Sequence, residues 1–271
     1  MNRFGIIFCL LVIMQWAWVP FSVAGPYPPE ADAVGSHAVS MDAPALIAWA
    51  TGYDDYSVGA DVDMIWQDPQ KALGKAEGTS FDIVALGRGG SITLTFDSPI
   101  ENGEGWDFAV FENSFSDLYL ELAYVEVSSN GIDFVRFDAA SLTPSPVPGF
   151  GNLDPTDVDG LAGKYRQGFG TPFDLEDLAE KSEVISGLVD LSSVSFVRLV
   201  DVVGDGSSLD STGAPIYDPY PTAASAGFDL DAIGVSNGAS YPAGEYTPPE
   251  VPLDDDDAGF SGGAGCFLET R

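Results

Sequence analysis

Cationic side chains are scarce in this 271-residue chain: Lys and Arg number 10 against 42 Asp and Glu, a formal net charge of −32. Nucleic acids and anionic lipid surfaces are bound through Lys and Arg, so neither is expected as a partner. Histidine occurs once, at His37, which rules out multi-histidine zinc or iron sites and a paired-histidine relay. His37 lies in a Ser/Gly-rich early segment, and no Gly-x-Ser-x-Gly elbow accompanies it, so it reads as a loop residue and not a triad member. The chain also lacks an Asp-x-Asp-x-Asp-Gly loop, which excludes an EF-hand. Cysteine occurs only at Cys9 and Cys266.

One long apolar run is present, residues 4–21, interrupted by Gln15 and Pro20 and preceded by Arg3. Ser22-Val23-Ala24 follows, with small residues at the two positions a signal peptidase reads. Residues 1–24 therefore read as a secretory signal peptide cleaved after Ala24; Pro20 argues against an uncleaved anchor. No later segment approaches the ~20 continuous apolar residues of a membrane helix, so no span is expected in the mature chain. The protein is expected to be exported, extracellular or at the cell surface, with the periplasm as the alternative. Once the signal is removed, Cys266 stands alone, so no intramolecular disulfide can form. Cys266 reads either as part of a C-terminal box or as a bare exposed thiol, open to an intermolecular disulfide or to surface attachment. With 45% hydrophobic and 12% aromatic residues, the chain can bury a substantial core.

Strand patterns dominate. Residues 91–96 (SITLTF) alternate with period 2, residues 108–111 (FAVF) form a short run apolar on both faces, and 194–203 (VSFVRLVDVV) and 228–235 (FDLDAIGV) read as further buried strands. Residues 123–137 read as a hairpin turned at Asn130-Gly131, a pair that tolerates positive φ. Helical patterns are few: residues 42–51, and residues 174–181 with Asp174 as N-cap and Asp177 closing a capping-box-like turn. Long Gly/Pro/Asp-rich loops cover 144–173 and 204–227. The expected fold is all-β, an antiparallel β-sandwich of the jelly-roll type with long loops and one or two short helices. One domain is expected over residues 25–240, with its core at about 72–238. Residues 241–271, rich in Pro, Asp and Gly, read as a disordered tail.

The acids inside these strands carry the functional question. Asp201 shares a face with Val197 and Leu199 by alternation, Asp229 shares one with Asp231, and Asp107 and Glu112 bracket FAVF. A buried carboxylate needs a partner. Clustered acids without cations either hold protons or share a hard cation. Calcium suits an all-oxygen inventory, and Glu112, Asn113, Asp201, Asp229 and Asp231 are the candidate ligands. The alternatives are edge acids facing water and, for Asp201, a salt bridge to Arg166 or Lys164. Tyr217, Asp218 and Tyr220, in the Tyr/Pro loop before the last strand, are candidates for stacking and hydrogen bonding a sugar; a tyrosine packed over the sandwich edge is the plainer reading. Gly87-Arg88-Gly89-Gly90 precedes a strand, not a helix, and reads as a turn rather than a phosphate loop.

Segments between about residues 49 and 237, among them IVALGRGGSITLTF (83–96), PIENGEGWDFAVFENSF (99–115), GFGTPFDL (168–175) and PIYDPYPT (215–222), resemble exported bacterial cell-surface proteins of the PEP-CTERM sorting type. The hairpin 128–134 and FDLDAIGV also resemble the galactose-binding, discoidin-type jelly rolls. The resemblance implies a sandwich with a structural calcium and a loop-borne binding face, without an agreed activity. The Pro-Glu-Pro box, membrane helix and basic tail of that sorting family are missing here, so anchoring by that route is not expected. Gly262 to Leu268 (GGAGCFL) resembles the start of a Gly-rich Cys-Phe-Ile C-terminal box. The expectation is a calcium-stabilised, non-catalytic binding module for an extracellular ligand such as a glycan. A carboxylate-based polysaccharide hydrolase and a purely structural surface or matrix protein are the alternatives.

Overall fold

The computed structural model describes residues 24–238; the apolar leader, the acidic tail and Cys266 lie outside them. In chain order the strands are β1 (Val39–Ser40), β2 (Ala48–Trp49), β3 (Gly52–Ser57), β4 (Val84–Ala85), β5 (Ser91–Ile100), β6 (Phe108–Glu112), β7 (Ala123–Ser128), β8 (Val135–Arg136), β9 (Ala140–Ser141) and β10 (Val158–Asp159). There follow β11 (Phe169–Phe173), β12 (Val194–Asp201), β13 (Asp205–Leu209), β14 (Pro215–Tyr217) and β15 (Asp229–Val235). One sheet has the order β1-β11-β6-β15-β2, with β4 also paired to β15; the second has the order β3-β5-β12-β7-β8. All of these ladders are antiparallel, and the chain passes repeatedly from one sheet to the other. This is an all-β antiparallel sandwich. No helix among the described residues is long and apolar enough to cross a membrane.

Alternation sorts each strand between two surroundings. Phe108 and Val110 of β6 enter the space between the sheets with Val125, Val127, Val197, Leu199 and Ile233. There Phe108 stacks on Phe173 at 5.4 Å, and Phe137 meets Phe173 at 5.0 Å. Ala109 and Phe111 face outward, yet all five residues of β6 are buried. The reason is the N-terminal segment, which lays Val39, Met41, Leu46 and Trp49 over the outer face; Trp49 lies 5.4 Å from Phe111. A strand buried on both faces is mostly apolar, as FAVF is, and the acids at the end of β6 and the start of β15 are the exceptions.

The helical pattern at 42–51 is overridden. Its end becomes β2, where Ala48 and Trp49 pair with Val235 and Gly234, because covering the outer face of β15 buries more apolar surface than a short isolated helix could. Asp174 is an N-cap, its carboxylate accepting from Glu176 N–H at 3.0 Å, but the turn it starts is the 3-10 segment Leu175–Leu178, followed by a four-residue α-helix, Ser182–Ile185. In the hairpin, β7 and β8 pair only as far as Val127 and Val135. The turn between them is built by side chains: Ser128 Oγ accepts from Asn130 and Gly131 N–H, and Asn130 Oδ1 accepts from Ile132 and Asp133 N–H. The outermost strands β1, β2 and β8 are two residues long, and the longer outer strand β3 exposes Asp54 and Asp55.

Candidate functional site

Nine acids are buried among the described residues, and they fall into three groups by what meets them. Glu126 alone is met by guanidinium groups: Arg136 Nε donates to it at 2.8 Å, and Arg198 brackets its other oxygen. The second group is met by backbone amides. Asp107 accepts from Gly103 and Leu175 N–H and from Asn237 Nδ2. Asp201 accepts from Gly89 N–H and Phe228 N–H at 2.8 Å each, and Asp231 from Glu77 and Gly78 N–H. Asp218 accepts from Leu122 N–H at 2.9 Å, and Asp210 from Ser141, Thr212 and Ala214 N–H. These carboxylates lash loops to strands. Gly227, with φ +72°, shows how closely: a Cβ there would sit 2.4 Å from Asp201 Oδ1. Arg166 and Lys164 are engaged elsewhere, Arg166 with Asp32 and Asp117, and Lys164 Nζ with Val158 O.

The third group is Glu112, Glu121 and Asp229, each 1–4% exposed. Glu112 Oε2 accepts from Ser114 N–H at 2.8 Å, and Asp229 Oδ2 accepts from Asn113 Nδ2 at 3.3 Å. Glu112 Oε1, Glu121 Oε1 and Asp229 Oδ1 have no hydrogen-bond partner. They share one end of the sandwich: Glu112 closes β6 opposite Leu230 near the start of β15, and Glu121 precedes β7. The hydroxyl groups of Tyr119 and Thr222 lie beside Glu121, and that of Ser225 beside Asp229.

Burial and mutual repulsion push all three acids toward protonation. Glu112 is raised well above the usual carboxylate range by burial and then by the charges of Asp229 and Asp231. Glu121 is raised likewise by burial, with Asp229, Glu112 and Asp218 adding to it. Asp229 is pushed up to about 8, chiefly by burial, against the opposing hydrogen bonds of Ser225 and Asn113. Asp201, also buried, is raised less, to about 7, because Gly89 and Phe228 N–H offset its desolvation.

An all-oxygen set of unpartnered, desolvated carboxylates suits a hard cation in its chemistry. Its placement is less complete: among the described residues, no three Asp, Glu, His or Cys side chains are grouped so that they alone could hold a metal. A cation here would therefore rely on neutral oxygens as well; the Thr222 and Ser225 hydroxyl groups lie beside the acids, whereas Asn113 turns its amide nitrogen to Asp229.

Of the five ligand candidates from the sequence, Glu112, Asn113 and Asp229 come together, whereas Asp201 and Asp231 have both oxygens taken by backbone amides. A β-bulge between Leu230 and Ala232 breaks the alternation that would have kept Asp229 and Asp231 side by side. Glu121 gave no signal, since it lies in the apolar stretch LYLELA (118–123) outside any regular strand. In the Tyr/Pro loop, Asp218 is buried against Leu122 N–H, Tyr217 packs beside Gly206, and Tyr220 lies 5.4 Å beneath the Arg88 guanidinium.

The open aromatic faces are elsewhere, on loops bordering the acid cluster. Phe115 and Phe150 are exposed and stack with Tyr119 at 4.7 and 6.2 Å. Phe81, which stacks with Trp66, follows Ser80, whose carbonyl accepts from Asn113. Compared with protein-family models and with curated proteins, the chain matches no family model and no curated protein.

Proposed function

We propose that the protein is an exported, non-catalytic β-sandwich binding module, with one end braced by a calcium ion held by Glu112, Glu121 and Asp229 together with the neighbouring Thr222 and Ser225 hydroxyl oxygens. The observation that carries this reading is the trio of buried carboxylate oxygens without a hydrogen-bond donor. Bound there, calcium would neutralise the cluster and join β6, β15 and the segment before β7. The exposed Phe81, Phe115 and Phe150 then form the ligand face, suited to stacking on the apolar face of an extracellular glycan. The near-complete burial of Glu112 and Glu121 supports a bracing role over hydrolysis, since a catalytic carboxylate must reach its substrate.

The test is thermal unfolding of the mature chain in millimolar calcium and in chelator, at fixed high sodium chloride to screen general acidity. Calcium is expected to add about 2–3 kcal/mol, the gain from a ligand present at ~100 times its Kd. Glu121→Gln and Asp229→Asn are expected to abolish that gain, yet to melt at or above wild type in chelator, because each replaces a desolvated acid, repelled by its neighbours, with a neutral amide of the same shape. Equal calcium responses in wild type and both variants would refute the site. Phe115→Ala and Phe150→Ala are expected to leave the calcium gain intact and to reduce retention on a glycan array.

A further inference from the structure

We propose that the chain carries a built receptor for its own mature N-terminus, in which the α-ammonium of Gly25, released by signal cleavage after Ala24, docks between Thr156 and Asp157. The inference rests on the exported reading above.

The Gly25 nitrogen already donates to Thr156 Oγ1 at 2.6 Å, across 131 residues of sequence, and Tyr27 N–H donates to Thr156 O at 3.1 Å. The notch is tight. A Cβ at position 25 would lie 2.1 Å from Thr156 O and 2.4 Å from Asp157 Oδ1, so only glycine fits. Its floor is fixed from below: Asp154 Oδ1 accepts from both Thr156 N–H and Thr156 Oγ1, holding that hydroxyl beneath the Gly25 nitrogen. The turn Pro155–Asp157 therefore sets the Thr156 hydroxyl and the Asp157 carboxylate against Gly25, with the N-cap Asp154 behind the hydroxyl. Burial, together with the charge of Asp154, raises the Asp157 carboxyl, the state of an acid that lacks a cation. The nearby cation, Lys164, is directed to Val158 O and lies over the Tyr27 ring at 5.8 Å.

In the uncut chain the Gly25 nitrogen is a neutral amide with one hydrogen. Hydrolysis by an export peptidase adds water across the Ala24–Gly25 bond; hydroxide goes to the Ala24 carbonyl and a proton to nitrogen. The amine then takes a second proton from solvent at neutral pH. One donor becomes three, with a full positive charge, beside the Asp157 carboxylate and with Asp154 behind Thr156. Ala24 itself is exposed, so its loss disturbs no packing. Removal of the leader thus does more than release the protein: it completes an ion pair that the uncut chain cannot make.

The test compares two chains of defined start, one beginning at Gly25 and one at Ala24, both ending at Arg271. Pairing with an acid raises the α-ammonium pKa above its ordinary ~7.7–8.0, so its contribution is complete below that range and lost as pH rises through the raised value. At pH 6.5 the Gly25 chain is expected to melt several degrees higher than the Ala24 chain. The gap should close above pH ~9 and disappear in Asp157→Asn. Gly25→Ala in the shorter chain should lower its Tm to that of the longer one. As a second readout, the labelled Gly25 amine should titrate above the ordinary range in NMR. Equal melting of the two chains, a gap that survives Asp157→Asn, or an ordinary amine titration would each overturn the proposal. Sequencing the N-terminus of the exported protein separates the two layers: a start other than Gly25 removes the link to maturation, while the chain comparison still decides whether the notch binds an ammonium.

Discussion

Asp107→Ala is expected to lower folding stability by about 3–5 kcal/mol, measured by denaturant unfolding at pH 7. The carboxylate is fully buried at the start of β6 and joins three distant segments: Gly103 in the preceding turn at 2.8 Å, Leu175 at the 3-10 turn at 2.7 Å, and Asn237 just beyond β15 at 2.9 Å. Truncation strands three donors, Leu175 N–H in the interior and Gly103 N–H and Asn237 Nδ2 at part-buried positions, and each stranded donor costs roughly 1–3 kcal/mol, least where water can replace the lost acceptor. The backbone carbonyl of Asp107 also accepts from Ser236 and Asn237 N–H, and those bonds survive the substitution, which keeps the loss below a simple sum. Asp107→Asn keeps the shape but turns one acceptor into a donor facing a donor, so about half the loss is expected. A cost under ~1 kcal/mol for the alanine variant would mean that the three segments hold together without this clasp.

Without calcium, the protein is expected to lose stability as pH rises from about 5 to about 8.5, the reverse of the usual carboxylate behaviour. The sign follows from the direction of the shifts. Asp229 is raised from 3.8 to about 8, Asp201 to about 7 and Asp231 to about 6, and Glu112 and Glu121 move the same way. In each case burial disfavours the ionised form, so the folded chain holds more protons than the unfolded one. Stability from that uptake is complete below the unfolded pKa near 4 and disappears as pH passes the folded values. A shift of the size found for Asp229 corresponds to an effect on the order of 5 kcal/mol at most. Chelated protein at pH 5 should therefore melt well above chelated protein at pH 8.5. Calcium should flatten the dependence, because a bound cation holds its carboxylates ionised in the folded state. A chelated protein that gains stability over this range would show that water or an unassigned cation already reaches the cluster.

Much of the sandwich could be read from side-chain alternation, because the buried strands carry β-branched and aromatic residues at regular spacing. FAVF, SITLTF, AYVEVS, VSFVRLVD and DLDAIGV all lie in strands. The partners of the acids could not be read in this way. Asp201 was placed correctly beside Val197 and Leu199, but its donors are the amides of Gly89 and Phe228, and backbone groups have no sequence signature. The bulge in β15 undid the period-2 argument for Asp229 and Asp231, since one extra residue resets every later side chain. Glu121 was missed for a different reason. It sits in an irregular stretch among leucines, where composition predicts burial but no periodicity says which way a side chain faces.

The acidic and truncated rims of the two sheets limit how this molecule can meet others. Unpaired strand edges are the usual templates for amyloid-like stacking and for capture of a partner's strand. Here β1, β2 and β8 end after two residues, and β3 holds Asp54 and Asp55 toward solvent. A second copy approaching that edge would bring like charges into register, in a chain of net charge −32. Backbone-directed recruitment and fibre growth are both disfavoured, so a partner must be recognised through the side chains of the loops.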